Sequence, residues 1–327
     1  MSIHTTGVST THPVNAANTG VPYAAPYPTM HKLVTSSSSL LIINTPFIAS
    51  AWHSMLVNTP LYAQFSDVSA GMYHSFNMGI STLPTHTYTP PNHNSALSYL
   101  NHIVSHTNNK LSSQCYSSPF LSSRLEALIS PFHTSALGTV PNPGTLDSRC
   151  IIQNLSFSRN DPLCHSVNDF GCNWGMFNDV RTIINAPDGT NAATLNVDSA
   201  FRCCPIAPAQ QPNFVIHWNG FFYINHNVPK GATSSGGIFG RVADAMTAIL
   251  ASKCFGPSKN SVDDFIFFRF STSHNPPSFL SRFHLRFVCQ DSSGSQVHLL
   301  KLHPWVYGQK FSRKMLILFS VPLYIVC

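Results

Sequence analysis

The dipeptide Asn219-Gly220 constrains the fold more than any other feature of the sequence. It lies between two apolar runs, NFVIHW at 213–218 and FFYINH at 221–226. Asn-Gly favours the positive-φ turn that joins two antiparallel strands, so these runs predict a β-hairpin. The next segment, GGIFGRVADAMTAILASKCFG at 236–256, predicts a long helix with a glycine at its end.

Strands and helices alternate around this hairpin. SALGTVP and CIIQNLSF, joined by the turn NPGTLDS, predict another hairpin at 135–157. AATLNV at 192–197 predicts a buried strand, WGMFNDVRTIINA at 174–186 an amphipathic helix, and SVDDFIFFRF at 261–270 a pair of strands. This order predicts an α+β fold with helices on one face of an antiparallel sheet.

The first 130 residues differ in composition from the rest. Residues 1–44 are rich in Ser, Thr, Pro, Ala and Gly and almost uncharged, which predicts disorder. Residues 45–130 are expected to form a helical lead-in region, interrupted by the breaker-rich linker PTHTYTPPNHN at 84–94. The apolar spacing of this region predicts up to four helices, at 47–57, 68–78, 95–111 and 122–130.

Charge is scarce and unevenly distributed. Charged residues make up 9% of the chain, against roughly 25% in ordinary soluble domains. From residue 1 to 109 the only charged side chains are Lys32 and Asp67, whereas eleven Lys or Arg and four Asp follow residue 228. A basic second half can attract nucleic acid, and a basic surface without a partner is an equally open interpretation.

The nine cysteines include no C-x-x-C pair, and their number is odd. With no visible signal peptide, this pattern predicts reduced thiols in an intracellular protein of the cytoplasm or nucleus, not a secreted one. The apolar tail at 315–327 is shorter than the ~20 residues of a membrane helix, so no membrane partner is expected.

Two acidic strand ends indicate metal-dependent chemistry. Asp263 and Asp264 precede an apolar run at 265–268, and Asp198 follows the strand at 192–197. Phosphoryl transfer to a nucleotide uses two divalent ions held by carboxylates, which neighbouring strands of a sheet can supply. The alternative is an ordinary Asp-Asp turn at the surface.

Several longer segments occur in an order that resembles a known family. They are YSSPFLSSRLEALISPFHTSALGTVPNPG, IIQNLSFSRNDPLCHSVND, WGMFNDV, TLNVDSAFRCCPIAPAQQPNFVIHWNGFFYINHNVPKGATSSGGIFGRVADAM and NSVDDF, all between 116 and 270, with the weaker HPWVYGQKFS at 303–312. In order and spacing they resemble the reverse transcriptases of retroelements, and most closely the fungal retrotransposon type associated with tyrosine recombinases.

The resemblance implies a right-hand polymerase, with fingers and palm at 131–275. After Phe270 the sequence departs from the family, so no thumb is expected, and 276–327 is expected to be a degenerate C-terminal segment. The resemblance implies RNA-directed DNA polymerase chemistry, a nucleotidyl transfer that uses Mg²⁺ or Mn²⁺, bound weakly if at all, and no small-molecule cofactor. The implied partners are an RNA or DNA template-primer and a dNTP.

The resemblance also assigns roles to single residues. Asp263 corresponds to a metal ligand, and Asp264 to its neighbour in the paired aspartates of the family. Phe201 matches the aromatic residue that packs under the incoming sugar. Three residues of VPKGATSSGG match the loop and helix start that line the nucleotide, and they are Lys230, Gly231 and Ser235.

One departure from the family bears on the chemistry. Aligning AFR at 200–202 with the family places its first catalytic aspartate at Asn196, which offers a neutral oxygen and no charge. Losing such a metal ligand is expected to slow the reaction by roughly 10²–10⁴-fold. Asp198 could substitute as a catalytic carboxylate, but it lies about 6.6 Å further along the strand, and its use would misplace Phe201.

The fingers also depart from the family. Asn142 and Cys150 stand where basic residues usually face the triphosphate. Arg149, a candidate nucleotide contact, lies one position away, on the opposite face of its strand. Two alternatives to an impaired polymerase therefore stay open, an inactive nucleic-acid-binding remnant (a pseudoenzyme) and an unstable retroelement fragment.

Overall fold

A computed structural model of the chain describes residues 40–80, 82–129, 131–142, 148–156, 191–253, 257–269, 289–290, 296–297 and 300–302, all within the unit Thr35–Cys327. The predicted helix at 174–186 and the disorder predicted for 1–39 lie outside these residues. Mixed helices and antiparallel strands confirm the α+β class.

The helical region before residue 130 contains five described helices. They are α1 (Ala49–Val57), α2 (Leu61–His74), α3 (Asn94–Ser98), α4 (Leu100–Ser112) and α5 (Ser122–Ile129). The single helix predicted at 95–111 is divided at Tyr99, whose backbone (φ −126°, ψ 50°) is not helical. Helix α2 begins seven residues before the predicted start at Val68, directly after Pro60.

Two hairpins form as the turn chemistry predicts. Strand β1 (Ala136–Pro141) pairs antiparallel with β2 (Arg149–Asn154), and β4 (Val215–Trp218) pairs with β5 (Phe221–Ile224). Between β4 and β5, Asn219 and Gly220 have φ values of 50° and 78°. Positive φ at both central residues is the signature of the type I′ turn, which explains why Asn-Gly occupies these positions.

A four-stranded antiparallel sheet holds the two acidic strand ends. Its strands are β3 (Asn191–Val197), β6 (Ser258–Ser261), β7 (Asp264–Arg269) and β10 (Leu300–Leu302), in the spatial order β10-β3-β7-β6. Strands β8 (Cys289–Gln290) and β9 (Gln296–Val297) form a separate pair.

The main core lies between this sheet and helix α6 (Thr233–Ser252). From α6, Phe239, Val242 and Met246 belong to the same buried cluster as Phe265 and Phe267 of β7. Residues of α1 and α2 complete the cluster, among them Trp52, Leu56, Val68 and Met72. Burial of this apolar surface is the dominant stabilising contribution to the fold.

Residues 40–44 are the last five residues of the segment 1–44, for which the composition predicts disorder. In the structure, the backbone oxygens of Ile42 and Asn44 each accept a hydrogen bond of 2.6 Å, from Gln211 Nε2 and Asn227 Nδ2. Short 3₁₀ helices at Ala200–Cys203 and Pro208–Phe214 connect β3 to β4.

The cysteines follow the prediction where they are described. Cys115, Cys150, Cys203 and Cys204 are free thiols. Among the helices that the structure describes, none is both long and apolar enough to cross a membrane.

Candidate functional site

The ends of β3 and β7 lie side by side. Asn196 stands directly opposite Asp264 in the antiparallel register, and its Nδ2 donates a 2.8 Å hydrogen bond to Asp264 Oδ1. One residue on, the backbone N–H of Val197 donates a 2.8 Å hydrogen bond to the carbonyl oxygen of Asp263. Two segments almost seventy residues apart in sequence thus place Asn196, Asp263 and Asp264 together at one end of the sheet, called the acidic edge below.

A tight turn presents Asp263 at this edge. Ser261 pairs with Asp264, so Val262 and Asp263 are the two loop residues between β6 and β7. Val262 has φ 55°, in the left-handed region that β-branched residues rarely adopt. Backbone strain of this kind concentrates at functional sites, where the surrounding structure maintains it.

Asp263 is half-buried, and its surroundings oppose its charge. Burial raises the pKa of its carboxyl above the usual value, and the neighbouring charge of Asp264 raises it further. A backbone hydrogen bond, the positive charge of Lys230 and the nearby Asn196 amide partly offset this rise in pKa. Lys230, from the loop before α6, is therefore close enough to the acidic turn to act on it.

Asp198 extends from a separate turn beyond β3. Its carboxylate is exposed, accepts a 3.3 Å hydrogen bond from Ser199 Oγ, and acts electrostatically on Lys110 of α4. Ser199 has φ 53°, so the chain turns sharply after Asp198. No three His, Cys, Asp or Glu side chains in the described parts of the chain are arranged to hold a metal ion, and Asp198 does not complete such a group with Asp263 and Asp264.

The donor set at the strand ends is suited to a hard cation but carries little charge. Two carboxylates, from Asp263 and Asp264, and one amide oxygen, from Asn196, are the oxygen ligands that Mg²⁺ prefers. The Asn196 amide presents its nitrogen to Asp264, so its oxygen would ligate a cation at that carboxylate only after rotation. The set fits one hydrated divalent ion better than the pair that nucleotidyl transfer uses.

The residues predicted to line the nucleotide differ in exposure. Lys230 and Gly231 are exposed, and the φ of 106° at Gly231 is one that only glycine adopts readily. Ser235 is buried, and its hydroxyl donates a 2.6 Å hydrogen bond to the carbonyl of Pro229, which holds this loop. Phe201 is half-buried, with its ring 5.9 Å from that of Phe239.

Arg149 is engaged within the protein. Its guanidinium lies 3.6 Å above the centre of the Tyr99 ring, and its Nε donates a 3.1 Å hydrogen bond to Thr139 Oγ1. Cys150 and Asn142, in the positions where the family has basic residues, are hydrogen-bonded to each other.

Two polar groupings were not singled out from the sequence. One consists of Lys110 and Arg202 near Tyr116, and the other joins His226 to Gln211. Their members are far apart in sequence, and only the isolated Arg202 within an apolar stretch could have signalled the first grouping.

No protein-family model matches the chain, and no curated protein does. Solved structures that resemble it include those of foamy virus protease-reverse transcriptases, the first from prototype foamy virus. The native crystal structure is 14% identical with a TM-score of 0.42, and the match covers 75% of this chain and 32% of that one. The structure in complex with an RNA/DNA hybrid is 12% identical with a TM-score of 0.45 over the same shares. The chain therefore spans about a third of the length of these proteins.

Proposed function

We propose that the chain is a reverse-transcriptase-like domain of the fungal tyrosine-recombinase retroelement type, with nucleotidyl transfer impaired at Asn196. Its reaction would extend a primer on an RNA or DNA template with dNTP. The site residues would be Asp263 and Asp264, with Asp198 too displaced to replace the missing acid.

The pairing of β3 with β7 supports this proposal above all. The palm of a reverse transcriptase requires the ends of β3 and β7 to be neighbours, and Asn196 of β3 stands opposite Asp264 of β7. Mg²⁺ or Mn²⁺, when bound, supplies the charge stabilisation of phosphoryl transfer. Asp263 and Asp264 would hold that ion, and the exposed Lys230 beside them would attract the triphosphate.

The impairment follows from charge. An aspartate at 196 would give the site three carboxylates, whereas the amide contributes none and donates to Asp264. Two divalent ions then face a smaller negative charge, which weakens the binding of both ions and the stabilisation of the transition state.

Primer extension with Mn²⁺ or Mg²⁺ tests the proposal. Asn196→Asp is expected to raise incorporation by roughly 10²–10⁴-fold over the natural chain. Asn196→Ala, which frees Asp264 without adding charge, is the matched control and should give no gain. Adding Asp263→Asn to Asn196→Asp should abolish the gain, and equal activity of the Asp and Ala variants would contradict the alignment.

A second candidate function is nucleic-acid binding without chemistry. The hydrogen bond between Asn196 and Asp264 disfavours chemistry, because the amide stabilises the acidic edge in the absence of metal. The excess of Lys and Arg over Asp after residue 228 would still attract nucleic acid. RNA affinity that falls steeply with salt, together with no incorporation by the Asn196→Asp variant, would select this function.

A further inference from the structure

A second polar site surrounds the buried Tyr116. The guanidinium of Arg202 lies 5.7 Å from the centre of the Tyr116 ring, and the His106 ring of α4 lies 6.3 Å from it. Lys110, one helical turn after His106, is half-buried, and its backbone oxygen accepts a 3.1 Å hydrogen bond from the backbone N–H of Tyr116. Lys110, Arg202 and His106 are called the basic cluster below.

Positive charge exceeds negative charge in the basic cluster. Among the described residues, Asp198 is the carboxylate that acts on Lys110, and it is exposed, so water screens it. The thiols of Cys115 and Cys203 are the other nearby groups with acidic protons. Burial and the charge of Arg202 lower the pKa of the Lys110 ammonium, so the two cations oppose each other in the free protein.

A buried amide adds an unused donor beside the two cations. Asn225 is fully buried, and its Oδ1 accepts a 2.7 Å hydrogen bond from Arg202 Nη1. This bond fixes the orientation of the amide, because the reverse orientation would set two donors against each other. Asn225 Nδ2 then lies near the guanidinium and, within the described part of the chain, has no acceptor. Buried donors in folded proteins almost always have an acceptor, so one is expected here.

We propose that the basic cluster binds a phosphate group between Lys110 and Arg202, with Asn225 Nδ2 as a further donor. A guanidinium presents a planar fork of donors that matches phosphoryl oxygens, and an ammonium adds a mobile point charge. Free phosphate, pyrophosphate and the backbone of a nucleic acid all carry a phosphate group, and the experiment below distinguishes them. The site does not depend on the proposed polymerase chemistry, since none of its three donors lies at the acidic edge.

Calorimetric titration of the full chain tests the proposal, with three probes at a constant ionic strength set by chloride. The probes are inorganic phosphate, pyrophosphate and a short single-stranded RNA without a terminal phosphate. Lys110→Met, which keeps the length and apolar stem of the side chain, is expected to weaken binding by at least ~10-fold through the loss of a charge-assisted contact. Lys253→Met, at the exposed end of α6, is the matched control and should bind as the natural chain does.

A second variant changes stability and binding in opposite directions. Asn225→Asp replaces the donor that lacks an acceptor with a carboxylate oxygen beside Arg202, so no hydrogen bond is lost. We expect a higher melting temperature of the free protein and the loss of phosphate binding, because the new carboxylate supplies the missing negative charge. A merely destabilising change would not raise the melting temperature.

The outcomes separate the sources of the phosphate. Lys110-dependent binding of phosphate or pyrophosphate supports a free anion, and Lys110-dependent binding of RNA alone supports a backbone phosphate. Equal affinities of the Lys110→Met and Lys253→Met variants for all three probes would overturn the proposal. Binding that chloride displaces as effectively as phosphate would overturn it as well.

Discussion

The histidine buried at 226 should make the fold sensitive to mild acid. His226 is 2% exposed, and its Nδ1 lies 3.0 Å from Gln211 Oε1. Gln211 Nε2 already donates to the carbonyl oxygens of Ile42 and Ile206, so its Oε1 must be the acceptor. The hydrogen therefore lies on Nδ1 of a neutral imidazole, and burial lowers the pKa of His226 to about 4.

The size of the effect follows from proton linkage. Below the ordinary histidine pKa of 6.5, the unfolded chain binds a proton that the folded His226 takes up only near pH 4. The folded state is therefore favoured fully above pH 6.5, and its stability falls as the pH drops towards 4. Each pH unit in this window costs about 1.4 kcal/mol, so the free energy of unfolding falls by about 3 kcal/mol in total.

Other groups titrate near this window and must be separated from His226. Burial also lowers the pKa of His106, to about 3, which extends the loss of stability to lower pH. Burial raises the pKa of Asp244 and Asp263, and their contribution has the opposite sign, because protonation favours the folded form. These contributions remain in a His226 variant and cancel when its pH profile is subtracted from that of the natural chain.

Urea unfolding between pH 7 and pH 4 measures the effect. His226→Asn keeps a donor near the position of Nδ1 and removes the titration, so its stability should fall less steeply with acid by about 1.4 kcal/mol per pH unit. His106→Asn is the matched control, and its difference from the natural chain should continue below pH 4. If His226→Asn and the natural chain lose stability with the same slope between pH 6 and pH 4.5, the assignment of a neutral buried His226 is wrong.

Three further substitutions test the core and the acidic edge. Val262→Asn should raise the free energy of unfolding in urea by about 0.5–1 kcal/mol, because asparagine tolerates the left-handed backbone better than valine; no change would mean that the turn is unstrained. Without metal, Asn196→Asp should lower the free energy of unfolding by about 1–3 kcal/mol and reduce the melting temperature. Mg²⁺ should restore part of this stability, and it should stabilise the natural chain less. Leu56→Ala, at a side chain with 0% exposure in the main core, should lower the free energy of unfolding by about 2–5 kcal/mol, and a loss below that range would place Leu56 outside the core.

Local turn chemistry accounts for much of what the sequence predicts about the fold. The hairpin at Asn219-Gly220 forms because only a few residue types tolerate two successive positive φ values, a constraint visible within four residues. The helix α6 is similarly predicted from its own apolar spacing, although it begins at Thr233, three residues before the predicted start. Both features depend on contacts close in sequence.

Features that depend on distant residues escape this kind of prediction. The break at Tyr99 accompanies a contact in which Arg149, fifty residues away, stacks on the Tyr99 ring at 3.6 Å. Likewise, no pattern within 192–197 indicates which residue of β7 faces Asn196, since a one-residue slip would exchange the two faces of the strand. The acidic strand ends and the family resemblance predict that the two ends meet, and the register shows that Asn196 faces Asp264.

The pair formed by Asn196 and Asp264 connects stability with chemistry at the acidic edge. A carboxylate at 196 would lie opposite Asp264 and near Asp263, and only bound cations would offset the repulsion among the three. The Asn196 amide carries no charge and donates a hydrogen bond to Asp264. It therefore stabilises the metal-free fold and weakens the binding of metal. A return to aspartate should therefore produce two linked changes, a stability that depends on Mg²⁺ and a gain in incorporation. If the first change appears without the second, the edge binds metal but the rest of the chain does not position a primer and nucleotide, and the binding-only function is the one that remains.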